Sequence, residues 1–447
     1  MKKSYIVIFV VILFIFLVPT IGNKLIEDEL SKKINILKSS GLVIKVENTT
    51  VEYLSTKKHY EFDVKDSKKF LNYLGIDSKK VSFNGLLIGL DLVYSNLPFI
   101  SSLELDIYLL SLPTNLENYL KRFKSNLYNK LDEFLLDKKL LSHIKYDLYS
   151  KSFNGKLKDI EENFTLKDGT AISAILKTVI FNGTISHKVD FEMGRFLLLL
   201  SDKGGEFEFN IEKLNSLYNL KAKNYFNSTT DVDMVKFRFN NETKKEVSIN
   251  FSNIKSSLSL DENNNSLEIK TKNSLDKLVV KSDKLNAKLE EFNYELFVKN
   301  IDKLKYEKMA LVISQIDVNG NNYQKQVEDS LWEFISSGIS INLTDTSFKS
   351  LVIGKDDLKG LVISTKIDIK KDNDFRYKLN HNKLELLKNI DIKSNIKISK
   401  PLFNIIAQKN RLLLFTRQYV KEQNGSLVYD ISFIDNSLKV NGKVFWC

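Results

Sequence analysis

The sequence predicts an α+β protein that is mainly antiparallel β. An N-terminal transmembrane helix leads into an elongated, curved β-sheet body with a few packed helices. Three observations carry this expectation. The chain opens on an uncharged apolar run, and most segments beyond Gly41 alternate apolar and polar residues. Stretches of helical period are too few for the crossovers that parallel strands demand.

The first element is the run Ser4–Asn23, preceded by Lys2 and Lys3, whose centre Tyr5–Val18 is almost wholly Ile, Val, Leu and Phe. Twenty residues at about 1.5 Å each span roughly 30 Å, the thickness of a bilayer's hydrocarbon core. The leading cations favour an N-terminus held in the cytoplasm, with the rest of the chain exported. A cleaved signal peptide is the rival reading. Signal h-regions run about 7–15 residues to a small-x-small site, whereas this run is longer and leaves through Val18-Pro19-Thr20-Ile21-Gly22-Asn23. The sequence therefore favours an uncleaved anchor over 1–23. An amphipathic stalk over 24–40 follows, with Ile26, Leu30, Ile34 and Leu37 on one stripe and Gly41 as its stop.

From there alternation marks strands at Tyr60–Val64, Leu103–Tyr108, Glu206–Ile211, Val235–Phe239, Val247–Phe251, Leu267–Lys270, Val362–Lys370 and Ile390–Ser399. The region from about Lys151 to Lys281 reads as one meander. Turn signals stand at Phe83-Asn84-Gly85, Phe153-Asn154-Gly155, Phe181-Asn182-Gly183, Asp261–Asn265 and Asn319-Gly320. Helices are expected over 114–144 behind Thr114, over 323–336, and from Ser399 and Pro401 to about Glu422. A terminal strand is expected over 426–445. No Gly-, Ser- or Pro-rich linker divides 41–447, so it reads as one β-rich exported domain.

Composition is globular, with 43% hydrophobic and 11% aromatic residues. The net charge of +11 is spread among Asp and Glu without a block of like charges, as on a solvated surface. Together with the export signal this argues against nucleic acid. The one cysteine, Cys447, precludes an intramolecular disulfide.

Motifs for chemistry are missing. His59, His143, His187 and His381 never stand at metal-ligand spacing, no H-E-x-x-H, Walker loop or G-x-S-x-G occurs, and no S-x-x-K carries a serine nucleophile. Asp261-Glu262-Asn263-Asn264-Asn265 lacks the glycine and terminal Glu of a calcium loop. Asp356-Asp357 and Asp372/Asp374 read as turns. Asn163-Phe164-Thr165, with Glu161 before it, is a candidate glycosylation sequon. No catalytic, cofactor-binding or metal residue is assigned, and no cofactor is expected.

The C-terminal residues Arg417-Gln418-Tyr419-Val420, Gly425-Ser426-Leu427-Val428-Tyr429 and Asn436-Ser437-Leu438-Lys439-Val440-Asn441-Gly442-Lys443 resemble the ending of the YdgA-like family of bacterial envelope proteins. Asn436 stands where that family has glycine. Val51-Glu52-Tyr53 and Ser399-Lys400-Pro401-Leu402 resemble further family segments, although Leu54-Ser55 replaces its Arg-Gly. The resemblance implies a membrane-anchored, β-rich exported protein, distantly similar in architecture to AsmA-like proteins that handle lipids. It transfers no catalytic residue.

The function expected from these features is non-enzymatic: handling of lipid or other hydrophobic ligands, or scaffolding of envelope assembly. A groove bordered by strands of the 151–281 meander is the expected site. The alternatives are a tethered enzyme acting on envelope polymers, which needs a polar cleft with close carboxylates, and a surface or adhesive module.

Overall fold

The computed structural model describes residues 26–446, apart from 74–81, 98–99, 139–140, 167, 186, 223–224, 242, 244, 264–265, 320–322, 382 and 411. The expected span Ser4–Asn23 lies outside the described residues. Among those described, no helix is long and apolar enough to cross a membrane. The chain divides into two compact units, one ending at Lys203 and one beginning at Gly204. Each is mainly antiparallel β-sheet with a few helices, as the alternation predicts.

In the first unit helix α1 covers 26–39. Gly41, at φ +93°, then turns the chain, and a Cβ there would lie 2.4 Å from the Asp66 carbonyl oxygen. The strands are β1 (Leu42–Val51), β2 (Ser55–Val64), β3 (Leu87–Ser95), β4 (Ser102–Leu109), β5 (Leu141–Asp147), β6 (Ser152–Leu157), β7 (Ile160–Thr165), β8 (Ala171–Thr184) and β9 (Lys188–Asp202). They form a meander of sequential antiparallel neighbours from β1 to β6. Both β6 and β7 then pair with β8, and β8 pairs with β9. Short helix α2 (Ser67–Tyr73) joins β2 to β3, and α3 (Thr114–Phe123) and α4 (Ser125–Leu136) join β4 to β5.

The single helix expected over 114–144 is thus two helices and a strand. Lys124, at φ −143°, separates the helices. Leu141–Asp147 contains apolar residues in both periods, and pairing with β4 decides for the strand. Two expected turns are also strand interior. Phe153, Asn154 and Gly155 pair with Gly183, Asn182 and Phe181 in that order. Each ring therefore stands over the glycine opposite, and a Cβ on Gly155 would come within 2.1 Å of the Phe181 ring. Glycine here makes room for an aromatic face, which outweighs its preference for turns.

The second unit begins with five strands of 16 to 18 residues: β10 (Gly205–Ala222), β11 (Tyr225–Asn241), β12 (Glu246–Asn263), β13 (Ser266–Lys281) and β14 (Asn286–Asp302). They pair in sequence order. A kink crosses this ladder where Lys213, Asn253 and Glu291 take positive φ near +50°. The ladder skips those residues and Asp233 and Asp276 between them. Side-chain phase shifts there, so the apolar face steps by three residues, from Ile211 to Leu214 and from Phe251 to Ile254.

Helices α5 (Lys303–Asn319), which the alternation did not announce, and α6 (Tyr323–Ile335) follow. Then come β15 (Ile339–Phe348), β16 (Ser350–Ile353), β17 (Asp356–Asp357), β18 (Leu361–Ile369), the short helices α7 (Phe375–His381) and α8 (Lys383–Leu387), and β19 (Ile390–Ser399). Helix α9 (Lys400–Lys409) opens as predicted, with Ser399 Oγ accepting from the Leu402 amide at 3.3 Å and Pro401 in the first turn. It ends well short of Glu422: α10 (Leu412–Phe415), a 3₁₀ turn and β20 (Lys421–Gln423) occupy the rest. The expected terminal strand is three, β21 (Ser426–Ile434), β22 (Ser437–Val440) and β23 (Lys443–Trp446). Positive φ at Asp435-Asn436 and at Asn441-Gly442 makes the two hairpin turns between them.

Candidate functional site

In the first unit the sheet alternation and the α1 stripe face one another across a cavity of about 1060 Å³. Two cross-strand rows build its floor. One runs Leu92–Leu105–Ile144–Gly155–Phe181 and the other Tyr94–Leu103–Tyr146–Phe153–Gly183. Ile26, Leu30, Ile34 and Leu37 of α1 line the same space. Its volume is at the upper end of the roughly 300–1,000 Å³ usual for ligand pockets.

A polar clamp fastens α1 to the sheet at one end. Glu27 pairs with Lys58 at 2.8 Å and accepts from the Tyr94 hydroxyl. Burial pulls the Lys58 ammonium down, but Glu27 and the Tyr60 hydroxyl together outweigh it and hold the pKa above its usual value. Burial, and then the bond to Glu27, push Tyr94 up, so the phenol stays protonated.

The mouth is apolar and wet together. Tyr149 is 69% exposed, Tyr73 49% and Ile185 46%, and Glu29, Lys33, Lys151 and His187 stand among them. His187 Nδ1 lies 3.1 Å from the Ile185 carbonyl oxygen, to which it donates. The site therefore draws on α1 and on β3 to β6 and β8; of the expected 151–281 meander, none of the lining residues lies beyond His187.

The second unit has an apolar face of a different kind. Rows Phe209–Phe237–Ile249–Val280–Ala287 and Ile211–Val235–Phe251–Leu278–Leu289 lie across β10 to β14. None of these residues is buried. Toward the α5 end, where Leu260, Leu267 and Ile301 pack against Phe334 and Ile339, the same face is closed, and Val232 at the kink is buried as well. Phe237 and Phe239 remain 39% and 49% exposed, the former stacked on Phe209 with centroids 4.6 Å apart.

Polar groups missed by motif searching meet on the first unit's other face. His59, Asp91, Asp106 and His143 stand directly opposite one another across β2 to β5. His59 Nδ1 lies 2.6 Å from Asp91 and His143 Nδ1 lies 2.7 Å from Asp106. Asp91 also accepts from the Tyr108 hydroxyl at 3.0 Å and from Lys138 at 3.3 Å. Burial pushes the Asp91 carboxyl up, but His59, Tyr108 and Lys138 together hold it below its usual range. Two carboxylates in directly opposed positions repel, and the flanking imidazoles and ammonium offset that repulsion. Each member occupies the polar phase of its strand, which is the one sign the sequence carried.

This row is not in the cavity, whose lining contains one acidic residue, Glu29. Among the described residues no group of His, Cys, Asp and Glu side chains could hold a metal ion. Asn163 is exposed in β7, and His381 stacks on Tyr377 at the end of α7. Asp356 and Asp357 form β17 against β16, where a turn was expected, and Asp372 accepts from Lys378 at 2.8 Å. The C-terminal residues behind the family resemblance are structural. The Asn441 side chain accepts from the Asp430 amide and donates to the Tyr419 and Val428 carbonyls, fastening the last hairpin.

No family model, curated protein or solved structure matches this chain.

Proposed function

We propose that this protein is a non-enzymatic, inner-membrane-anchored periplasmic component that takes the acyl chain of a lipid-like ligand into the cavity beneath α1. The cavity carries the reading: about 1060 Å³ floored by two rows of Leu, Ile and aromatic side chains, with an apolar rim open to solvent. Each methylene moved from water into such a space contributes about 0.8 kcal/mol, so a long chain binds without polar recognition. The half-exposed face of β10 to β14 supports the same theme, because apolar patches beyond a few hundred Å² mark interaction surfaces. The run Ser4–Asn23 supports the anchor, and the YdgA-like layout agrees with an envelope location. The enzyme alternative has less support, since the opposed pair Asp91 and Asp106 lies away from the concave site.

The test is native mass spectrometry and lipid extraction of the full chain purified from membranes. Lipid should co-purify with the wild type and be depleted by Ile144→Trp, which fills the cavity floor. A protein free of lipid that also fails to take up acyl probes would overturn the reading. Recovery of a soluble species beginning near Asn23 would overturn the anchor.

A further inference from the structure

Two lysines at the cavity mouth lack the partners that neighbouring lysines have. Lys32, Lys57, Lys58 and Lys145 of the same unit each pair with a glutamate. Lys33 and Lys151 line the mouth, are exposed, and have no carboxylate within salt-bridge distance among the described residues. The one acidic side chain of the lining, Glu29, is bound by Lys32 at 2.7 Å. That bond holds the Glu29 carboxyl below its usual value, and Lys33 and Lys151 both lower it further, so their fields meet at the mouth.

Asp147 makes no ion pair with either lysine; its carboxylate braces the turn that carries Lys151. It accepts from the Ser150 amide at 2.7 Å, the Tyr149 amide at 3.1 Å, the Ser150 hydroxyl at 2.8 Å and the Ser101 hydroxyl. The turn places Lys151 at φ +55°, a left-handed conformation that glycine or asparagine adopts with less strain. Resting on the lipid reading above, we infer that Lys33 and Lys151 form a head-group site. They receive the anionic head of the ligand, a carboxylate or a phosphate, while its chain fills the cavity. Paired ammonium groups beside low-dielectric apolar walls attract an anion more strongly than either would in open water.

The test uses the full chain held in an amphipathic polymer, with displacement of an environment-sensitive acyl fluorophore by four competitors. These are hexadecanoate, hexadecanol, lysophosphatidylglycerol and lysophosphatidylcholine. Wild type should bind the anionic competitors about tenfold more tightly than hexadecanol, as charge-assisted hydrogen bonds predict. Lys33→Gln with Lys151→Gly should abolish that preference and leave hexadecanol unchanged. Because Lys151→Gly eases the backbone, a loss cannot be assigned to misfolding. Hexadecanoate ahead of lysophosphatidylglycerol assigns a carboxylate head, and the reverse order assigns a phosphate. Equal binding of acid and alcohol, indifferent to the lysines, overturns the head-group site and leaves the cavity reading standing. Failure of every competitor and of the fluorophore sinks the cavity reading itself.

Discussion

The two units are built from the same kind of strand and treat their apolar faces differently. In the first, strands β3 and β4 are 9 and 8 residues long, about 30 Å, and a helix of some 20 Å lies against their apolar face. Leu92 and Leu103 are accordingly 1% and 6% exposed. In the second, β14 has 17 residues, nearly 60 Å, while α6 has 13, about 20 Å. A helix of that length can close about a third of such a strand, and the remainder of the face stays half-exposed. Alternation thus specifies a one-sided sheet; the ratio of helix length to strand length decides whether that side becomes a cavity or an open surface.

The largest expected effect separates the closed and open parts of the second unit. Ile301, fully buried, belongs to the closed part, and Phe239, 49% exposed, to the open part. Ile301→Ala should cost about 2–5 kcal/mol through lost burial and a residual cavity. Phe239→Ala should cost about 1 kcal/mol or less, as surface positions do. Both tryptophans, Trp332 and Trp446, belong to this unit, so urea denaturation followed by tryptophan fluorescence reads it selectively. Equal losses from the two variants would show that the supposedly open face is covered.

A smaller effect tests the floor of the first unit's cavity. Gly155→Ala sets a methyl group against the Phe181 ring, and forced repacking of this kind costs about 1–3 kcal/mol. Exposed Asn154→Ala beside it should be close to neutral. Hydrogen exchange of the β6 and β8 amides should show the loss for the first variant alone. Neutral behaviour of Gly155→Ala would mean that the ring does not stand over the glycine, and the floor row would have to be redrawn.

How far the sequence discloses this arrangement follows from where its signals are local. Each alternating segment falls in a strand, because a period of two needs only one residue's neighbours to read. Ser399 and Pro401 start α9 for the same reason. The failures are non-local. Asn154-Gly155 and Asn182-Gly183 look like turns until each is seen to receive the other strand's phenylalanine. Leu141–Asp147 continues an apolar stripe and joins β4 only because β4 has a free edge. The cavity was legible in half: the α1 stripe gave its roof, but no pattern tells which strands lie beneath it. Lys33 and Lys151 were invisible among dispersed lysines, since what distinguishes them is a place on the cavity lining without a salt-bridge partner among the described residues.

The smallest effect concerns the order of the cavity's rim, the feature that the open face of the second unit lacks. Asp147 is held down to about 2, from an ordinary 3.8, first by the Ser101 hydroxyl and then by the amide and hydroxyl of Ser150. A carboxyl with a depressed folded-state pKa stabilises the fold at pH above its unfolded value. That contribution disappears as pH falls from about 4 through about 2. Asp147→Asn keeps an acceptor oxygen but loses the charge, so it should be modestly less stable than wild type near neutrality. The gap should close across that acid window while other carboxylates titrate alike in both proteins. Thermal denaturation of the pair at matched pH values measures the difference directly. A gap that stays constant down to pH 2 would show that the turn does not depend on the Asp147 charge, and that the rim carrying Tyr149 and Lys151 is ordered by its backbone alone.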